Sequence, residues 1–166
     1  SNGVWEHNMF SIYVNCQCQY IELRDGNSTV FQLPVSTSTK GLGEAIGSEK
    51  TPRGRHRIAA MIGGGMPEQT VFVGREPTGE MLSAELRSRE PDRDWIVSRI
   101  LWLEGLDEGV NSGGEVDTFS RFIYIHGTAE VERLGVPCSH GCIRMRPEDI
   151  MLLYDKVKIG CNVLIE

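Results

Sequence analysis

Apolar and polar residues alternate along Phe10 to Asn15 and again along Gln17 to Arg24, the period of a strand with one buried face. Asp25-Gly26-Asn27 is a tight-turn signal and Ser28 to Val35 resumes the pattern, so the chain opens with a predicted β meander. Arg55 to Ile62 is a further strand, Val71-Phe72-Val73 a short one, and Trp95-Ile96-Val97 with Ile100-Leu101-Trp102-Leu103 make Asp94 to Glu104 a buried one, its tryptophans read as core. Phe122-Ile123-Tyr124-Ile125 and Asn162 to Ile165 complete the set. One helix is well specified, from Pro147 to Val157. Proline suits its first position, Glu148 and Asp149 its positive end, and Ile150, Leu153, Tyr154 and Val157 form an apolar stripe. Lys156 and Lys158 complement the far end, and Gly160 stops it. A shorter helix is expected over Glu80 to Arg89, ended by Pro91.

Between these elements lie long polar stretches. Ser36 to Gly54, rich in Ser, Thr, Gly and Lys, reads either as a surface crossover or as the border of a peptide groove. Its Gly41-Leu42-Gly43 precedes no helix and lacks the lysine of a nucleotide loop, which excludes nucleotide binding. Gly105 to Ser120 is acidic and glycine-rich, a solvated loop or a lid bordering the strand that follows. Many short strands, long glycine-rich loops and one C-terminal helix predict a mainly β fold, a β-sandwich or open barrel with its site at one rim.

The chemistry concentrates between Arg121 and Met145, in Ile125-His126-Gly127-Thr128 and Ser139-His140-Gly141-Cys142-Ile143-Arg144-Met145. A cysteine attacks a carbonyl as thiolate, and a free thiol has a pKa of about 8.5, so a base must take its proton. His126 ends an apolar strand, a stiff mount. If the chain folds back through Gly127 to Cys138, Cys142 meets that imidazole and the pair is a nucleophile with its base. Gly141, lacking Cβ, permits the sharp bend before Cys142 that aims amide N–H groups at a developing oxyanion. His56 is read as a packing or surface histidine, since no partner stands at metal spacing.

These two motifs resemble the L,D-transpeptidase (YkuD-like) catalytic domain family, as does Thr51-Pro52-Arg53-Gly54 upstream, and the resemblance covers the chain from about Phe10 onward. It implies a cysteine acylated by a peptidoglycan stem peptide and an acyl transfer to an amine, with no cofactor. Carried over by position, Cys142 is the nucleophile and His126 the base. Gly127 orients the imidazole through its carbonyl, and Ser139, His140 and Gly141 shape the nucleophile turn and oxyanion site. Arg144 holds a substrate carboxylate or braces the turn. The resemblance further implies acylation by carbapenem-type β-lactams and a place in the cell envelope or periplasm, although no signal segment is visible and the cytoplasm stays open.

Composition narrows the alternatives. At 166 residues and 18.5 kDa one catalytic domain over 10–166 is expected, with 1–9 a tag remnant or flexible N-terminus; Ser1-Asn2 reads as a tag scar and Met9 as a candidate initiator. A net charge of -6 argues against nucleic acid, and no apolar run reaches the roughly 20 residues of a membrane helix. Of five cysteines, an odd number, Cys142 is the one expected to stay unpaired; Cys16 and Cys18, two apart in a predicted strand, are read as buried or half-buried thiols facing one way. The rival readings are an L,D-carboxypeptidase or amidase resolving the same acyl-enzyme with water, a zinc site built from Cys138, His140, Cys142 and His126, and a non-catalytic peptidoglycan-binding module. Oligomeric state is left open.

Overall fold

A computed structural model describes residues 9–166, so the expected tag remnant or flexible start lies, apart from Met9, outside the described residues. Ten strands make one branched sheet in the order β3-β2-β1-β10-β4-β7-β5-β6, with β8 on β7 and β9 on β8. The strands are β1 Phe10–Asn15, β2 Tyr20–Asp25, β3 Ser28–Pro34, β4 Gly54–Ile62, β5 Thr70–Val73, β6 Glu76–Met81, β7 Ile96–Gly105, β8 Tyr124–Gly127, β9 Ile143–Met145 and β10 Asn162–Ile165. Two helices accompany them, α1 Ala84–Arg89 and α2 Pro147–Lys156. The mainly β fold with a C-terminal helix and long loops is therefore the one observed.

Alternation decides which faces close on each other. Ile12 and Val14 of β1, Ile21 and Leu23 of β2, Leu101 and Leu103 of β7, Ile125 of β8 and Ile143 and Met145 of β9 share one buried cluster with Ile150 and Leu153 of α2. The sheet thus curves until its first strands and its β8–β9 branch meet across a common core. Each fully buried Ile or Leu contributes about 1.5–3 kcal/mol, and Ile125 and Ile143, the residues flanking the two motifs, are both completely buried. This clamps the reactive segment from beneath.

Five expectations are corrected. The second strand begins at Tyr20 rather than Gln17, because Cys16 to Gln19 form the β1–β2 turn, with Gln19 in the left-handed region at φ 57° and the Asn15 side chain accepting from Cys18 N at 2.9 Å. Cys16 and Cys18 consequently do not share a strand face, and Cys18 is exposed; all five cysteines are free thiols. Glu80 lies in the unforeseen edge strand β6, held by Arg93, and the short helix starts only after Ser83, whose hydroxyl accepts from Leu86 N at 3.0 Å. Trp95 is buried as expected, but Trp102 is half-buried in a surface aromatic group. Finally, Gly105 to Ser120 is not simply solvated: buried Asn111 donates to the carbonyls of Arg53 and Arg55 at 3.0 Å each, and buried Thr118 meets His56 Nε2 at 2.9 Å.

Candidate active site

β8 and β9 run parallel, with Ile125 opposite Ile143, His126 opposite Arg144 and Gly127 opposite Met145. Neighbouring side chains on a strand point to opposite faces. With Ile125, Ile143 and Met145 committed to the core, His126, Arg144 and Cys142, one position before β9, fall on the other face. They line a pocket of about 160 Å³, shared with Asp94, Arg121, Phe122, Ser139 and His140. A roomier cavity of about 350 Å³ between β1, β10 and β4 holds no thiol.

His126 is nearly completely buried, and its Nδ1 lies 2.7 Å from its neighbour's carbonyl, Gly127 O. A carbonyl can only accept, so Nδ1 carries the proton and Nε2 the lone pair. Burial pulls the pKa of the ring below the ordinary histidine value; the Gly127 carbonyl and the Asp94 charge oppose this, and Arg144 adds to it. The imidazole is therefore neutral at pH 7, in the tautomer of a base. Gly127 has a second duty. A Cβ built there would sit 2.5 Å from Val97 O and 3.1 Å from Ile150 Cγ2. That close approach is set by a bulge of β7, where Ser98 and Arg99 are extra between the pairs Val97–Gly127 and Ile100–His126.

The Cys142 sulfur is engaged by backbone on two sides. It accepts from Tyr124 N at 3.3 Å and donates to Phe122 O at 3.4 Å. Burial pushes the thiol up to about 11, while the Tyr124 amide and the charges of Arg144 and Arg121 pull the other way and Asp94 adds to the rise. The resting pair is thus neutral thiol and neutral imidazole.

The turn before Cys142 is stitched by hydroxyls. Gly141 has φ 133°, outside the range that L side chains adopt readily, and its N–H donates to Ser139 Oγ at 3.2 Å while Ser139 Oγ donates to Cys142 O at 2.6 Å. Thr51 Oγ1 donates to Gly141 O at 2.9 Å and accepts from Ser38 N at 3.0 Å. The amides of Cys138 and Ser139 both reach Thr37 O at 2.9 Å, and Thr37 is held by Gln19, whose Oε1 accepts from Thr37 N at 2.9 Å. Arg121 fastens the same strap from outside, donating to Lys50 O at 2.7 Å. The stretch from Ser36 to Gly54 is thus no plain surface crossover: its Ser36, Thr37, Ser38 and Thr51 are buried against the turn that precedes Cys142.

Arg144 is buried, its Nη1 donating to Cys138 O at 3.2 Å and its Nη2 to Asp94 Oδ1 at 2.8 Å. His140 is exposed and borders both this pocket and a neighbouring one of about 190 Å³ that contains Cys138. Among the described residues no three His, Cys, Asp or Glu side chains are grouped to hold a metal ion, so the zinc reading finds no ligand set there. Sequence reasoning missed Asp94, Gln19, Thr37 and Phe122, none of which stands in a motif. Arg121 carried the faint signal of being the first base after an acidic run.

The sequence model of the L,D-transpeptidase catalytic domain (YkuD) matches residues 10–165. A probable L,D-transpeptidase, YbiS of Escherichia coli K12, is 46% identical over 43 residues, 26% of this chain and 14% of that protein. An L,D-transpeptidase from Mycobacterium smegmatis has a similar fold at TM-score 0.55 and 18% identity, covering 95% of this chain and 58% of the other. L,D-transpeptidase 3 from Mycobacterium tuberculosis, solved with a faropenem-derived adduct, superposes at TM-score 0.57 and 15% identity over 95% of this chain and 60% of its own. The chain thus spans less than two thirds of the length of these relatives. With the family pattern matched across 10–165, this chain belongs to the L,D-transpeptidase catalytic domain family.

Proposed function

We propose that the chain is a cysteine-dependent L,D-transpeptidase acting on peptidoglycan stem peptides, with 10–166 as one catalytic unit working in the cell envelope. The observation that supports this reading is the His126 tautomer: Nδ1–H is tied to Gly127 O, which leaves the lone pair on Nε2 of a ring that lines one pocket with Cys142. A buried histidine serving structure alone has no need of a thiol beside it.

The thiol leaves Phe122 O, gives its proton to His126 Nε2, and the sulfur attacks the carbonyl of the L-configured residue. Of the turn amides, Gly141 N–H is committed to Ser139 Oγ, so Cys142 N–H is the donor we assign to the oxyanion. On collapse the C–N bond breaks, His126 returns the proton to the departing amine, and a thioester on Cys142 remains. An acceptor amine then attacks the thioester, loses its proton to His126, and frees the thiol as a new amide forms. Ser139 and Gly141 hold the turn and His140 flanks its mouth. A substrate carboxylate reaching Arg144 would compete with Asp94 for Nη2, so we assign Arg144 the bracing role.

Intact-mass measurement after incubation with a carbapenem tests the nucleophile: one adduct on the wild type and none on Cys142→Ala is expected, and an adduct retained in Cys142→Ala sinks the assignment. Product analysis with a donor peptide, with and without an amine acceptor, then separates transpeptidation from hydrolysis by an L,D-carboxypeptidase.

A further inference from the structure

The hairpin of β5 and β6 turns through Gly74-Arg75, between the paired Val73 and Glu76. There the Arg75 guanidinium carbon lies 4.7 Å from the ring centre of Trp102 and 5.2 Å from that of Phe122, and Nη1 donates to Tyr124 OH at 3.0 Å. Trp102 stacks on Phe119 at 4.0 Å and 5° and meets Tyr124 edge-on at 5.7 Å. Phe119 and Phe122 are 36% and 52% exposed. This is a surface of aromatic rings with one cation laid across it, and it is continuous with the candidate site, because Phe122 lines the Cys142 pocket and its carbonyl receives the S–H.

Two features set it apart from packing. Phe122 is a bulky residue at φ 57°, a conformation that costs free energy and here holds the carbonyl on the sulfur. Among the described residues Arg75 has no acidic partner, although the chain carries a net charge of -6 and Arg53, Arg55, Arg57, Arg93 and Arg144 each hold a carboxylate. A guanidinium has five N–H donors in a planar fork suited to a carboxylate, and Arg75 gives one to Tyr124. Stacking on Trp102 and Phe122 fixes that fork in advance.

We infer that Arg75, Trp102 and Phe122 form a subsite for a peptide carboxylate one or two residues from the bond that Cys142 attacks. The inference rests on the transpeptidase reading and adds the part of the donor that is recognised: Arg75, held over Trp102, takes the carboxylate and the exposed ring of Phe122 takes the apolar stem beside it. A sugar ring stacked on the same aromatics would have no need of the cation.

The test uses Cys142→Ala protein, in which no acyl transfer occurs. Peptide pairs are titrated calorimetrically, with a free carboxylate placed one or two residues to either side of the scissile bond in one member and that same group as carboxamide in the other. With Arg75 the carboxylate peptide should bind about tenfold tighter or more, the usual worth of a hydrogen bond to a charged group; in Arg75→Gln this preference should vanish, and Arg75→Lys should keep part of it. Equal binding of both peptides to Arg75 protein, a preference that persists in Arg75→Gln, or an equal fall for both peptides overturns the subsite. Carboxylate-selective binding with no acylation of the Cys142 protein would sink the enzyme reading and leave the subsite standing, whereas acylation without selectivity would do the reverse.

Discussion

Thr51 Oγ1 donates to the carbonyl of Gly141, 90 residues away, at 2.9 Å, and both groups are buried. The same hydroxyl accepts the Ser38 amide. A threonine in a turn that looks like surface sequence therefore ties down the turn that carries Cys142. Thr51→Val keeps the shape but orphans an amide and a carbonyl, at a cost of about 1–3 kcal/mol for each buried group left unpaired. The urea midpoint should fall, and carbapenem acylation should slow more than in a surface control of equal stability loss. An acylation rate at the wild-type level would remove Thr51 from the positioning network.

Gly127→Ala tests the other mount. Its methyl would meet Val97 O at 2.5 Å and Ile150 Cγ2 at 3.1 Å, contacts that backbone and core cannot yield cheaply. Overpacking of this kind costs about 1–3 kcal/mol, and because Gly127 O also holds Nδ1 of His126, the imidazole should turn. A melting point and an acylation rate both unchanged would contradict the close approach.

The raised thiol gives a pH dependence with a definite sign. Since Cys142 ionises near 11 in the resting protein, its alkylation by iodoacetamide, followed by peptide mapping, should keep rising about tenfold per pH unit from 7 to 10. A plateau beginning below pH 8 would instead indicate a standing thiolate–imidazolium pair.

His56 provides a stability switch outside the Cys142 pocket. Burial pushes it down to about 4, against the Gly54 carbonyl and the charges of Asp107 and Glu44. An unfolded histidine protonates near 6.5, so between about 6.5 and 4 the unfolded chain binds the extra proton. Its contribution is fully present above 6.5 and is lost as pH falls toward 4, on the order of 3 kcal/mol in all. In His56→Gln the fall of the urea midpoint across that window should be correspondingly shallower; equal slopes would refute the assignment.

The core strands and the meeting of His126 and Cys142 in one pocket were legible because burial writes a period into the sequence, as in Ile123, Ile125 and Ile143, and because Gly141 and Cys142 stand in a dense motif. Ser36 to Gly54 misled for a physical reason. Hydroxyls whose partners are backbone groups far away leave no local trace, so Thr37, Ser38 and Thr51 looked solvated though they are buried. β6 was missed because an exposed edge strand containing Pro77 and Gly79 carries no alternation. Asp94 was invisible for want of a neighbour in sequence, its partner Arg144 being 50 residues on.

The clasp of Phe122 O and Tyr124 N–H around a protonated sulfur bears on durability. Peroxide attacks thiolates, and the sulfenic acid it forms is the first rung toward irreversible loss. A sulfur kept protonated between these two backbone groups offers peroxide little thiolate and is guarded against that first rung under oxidising conditions.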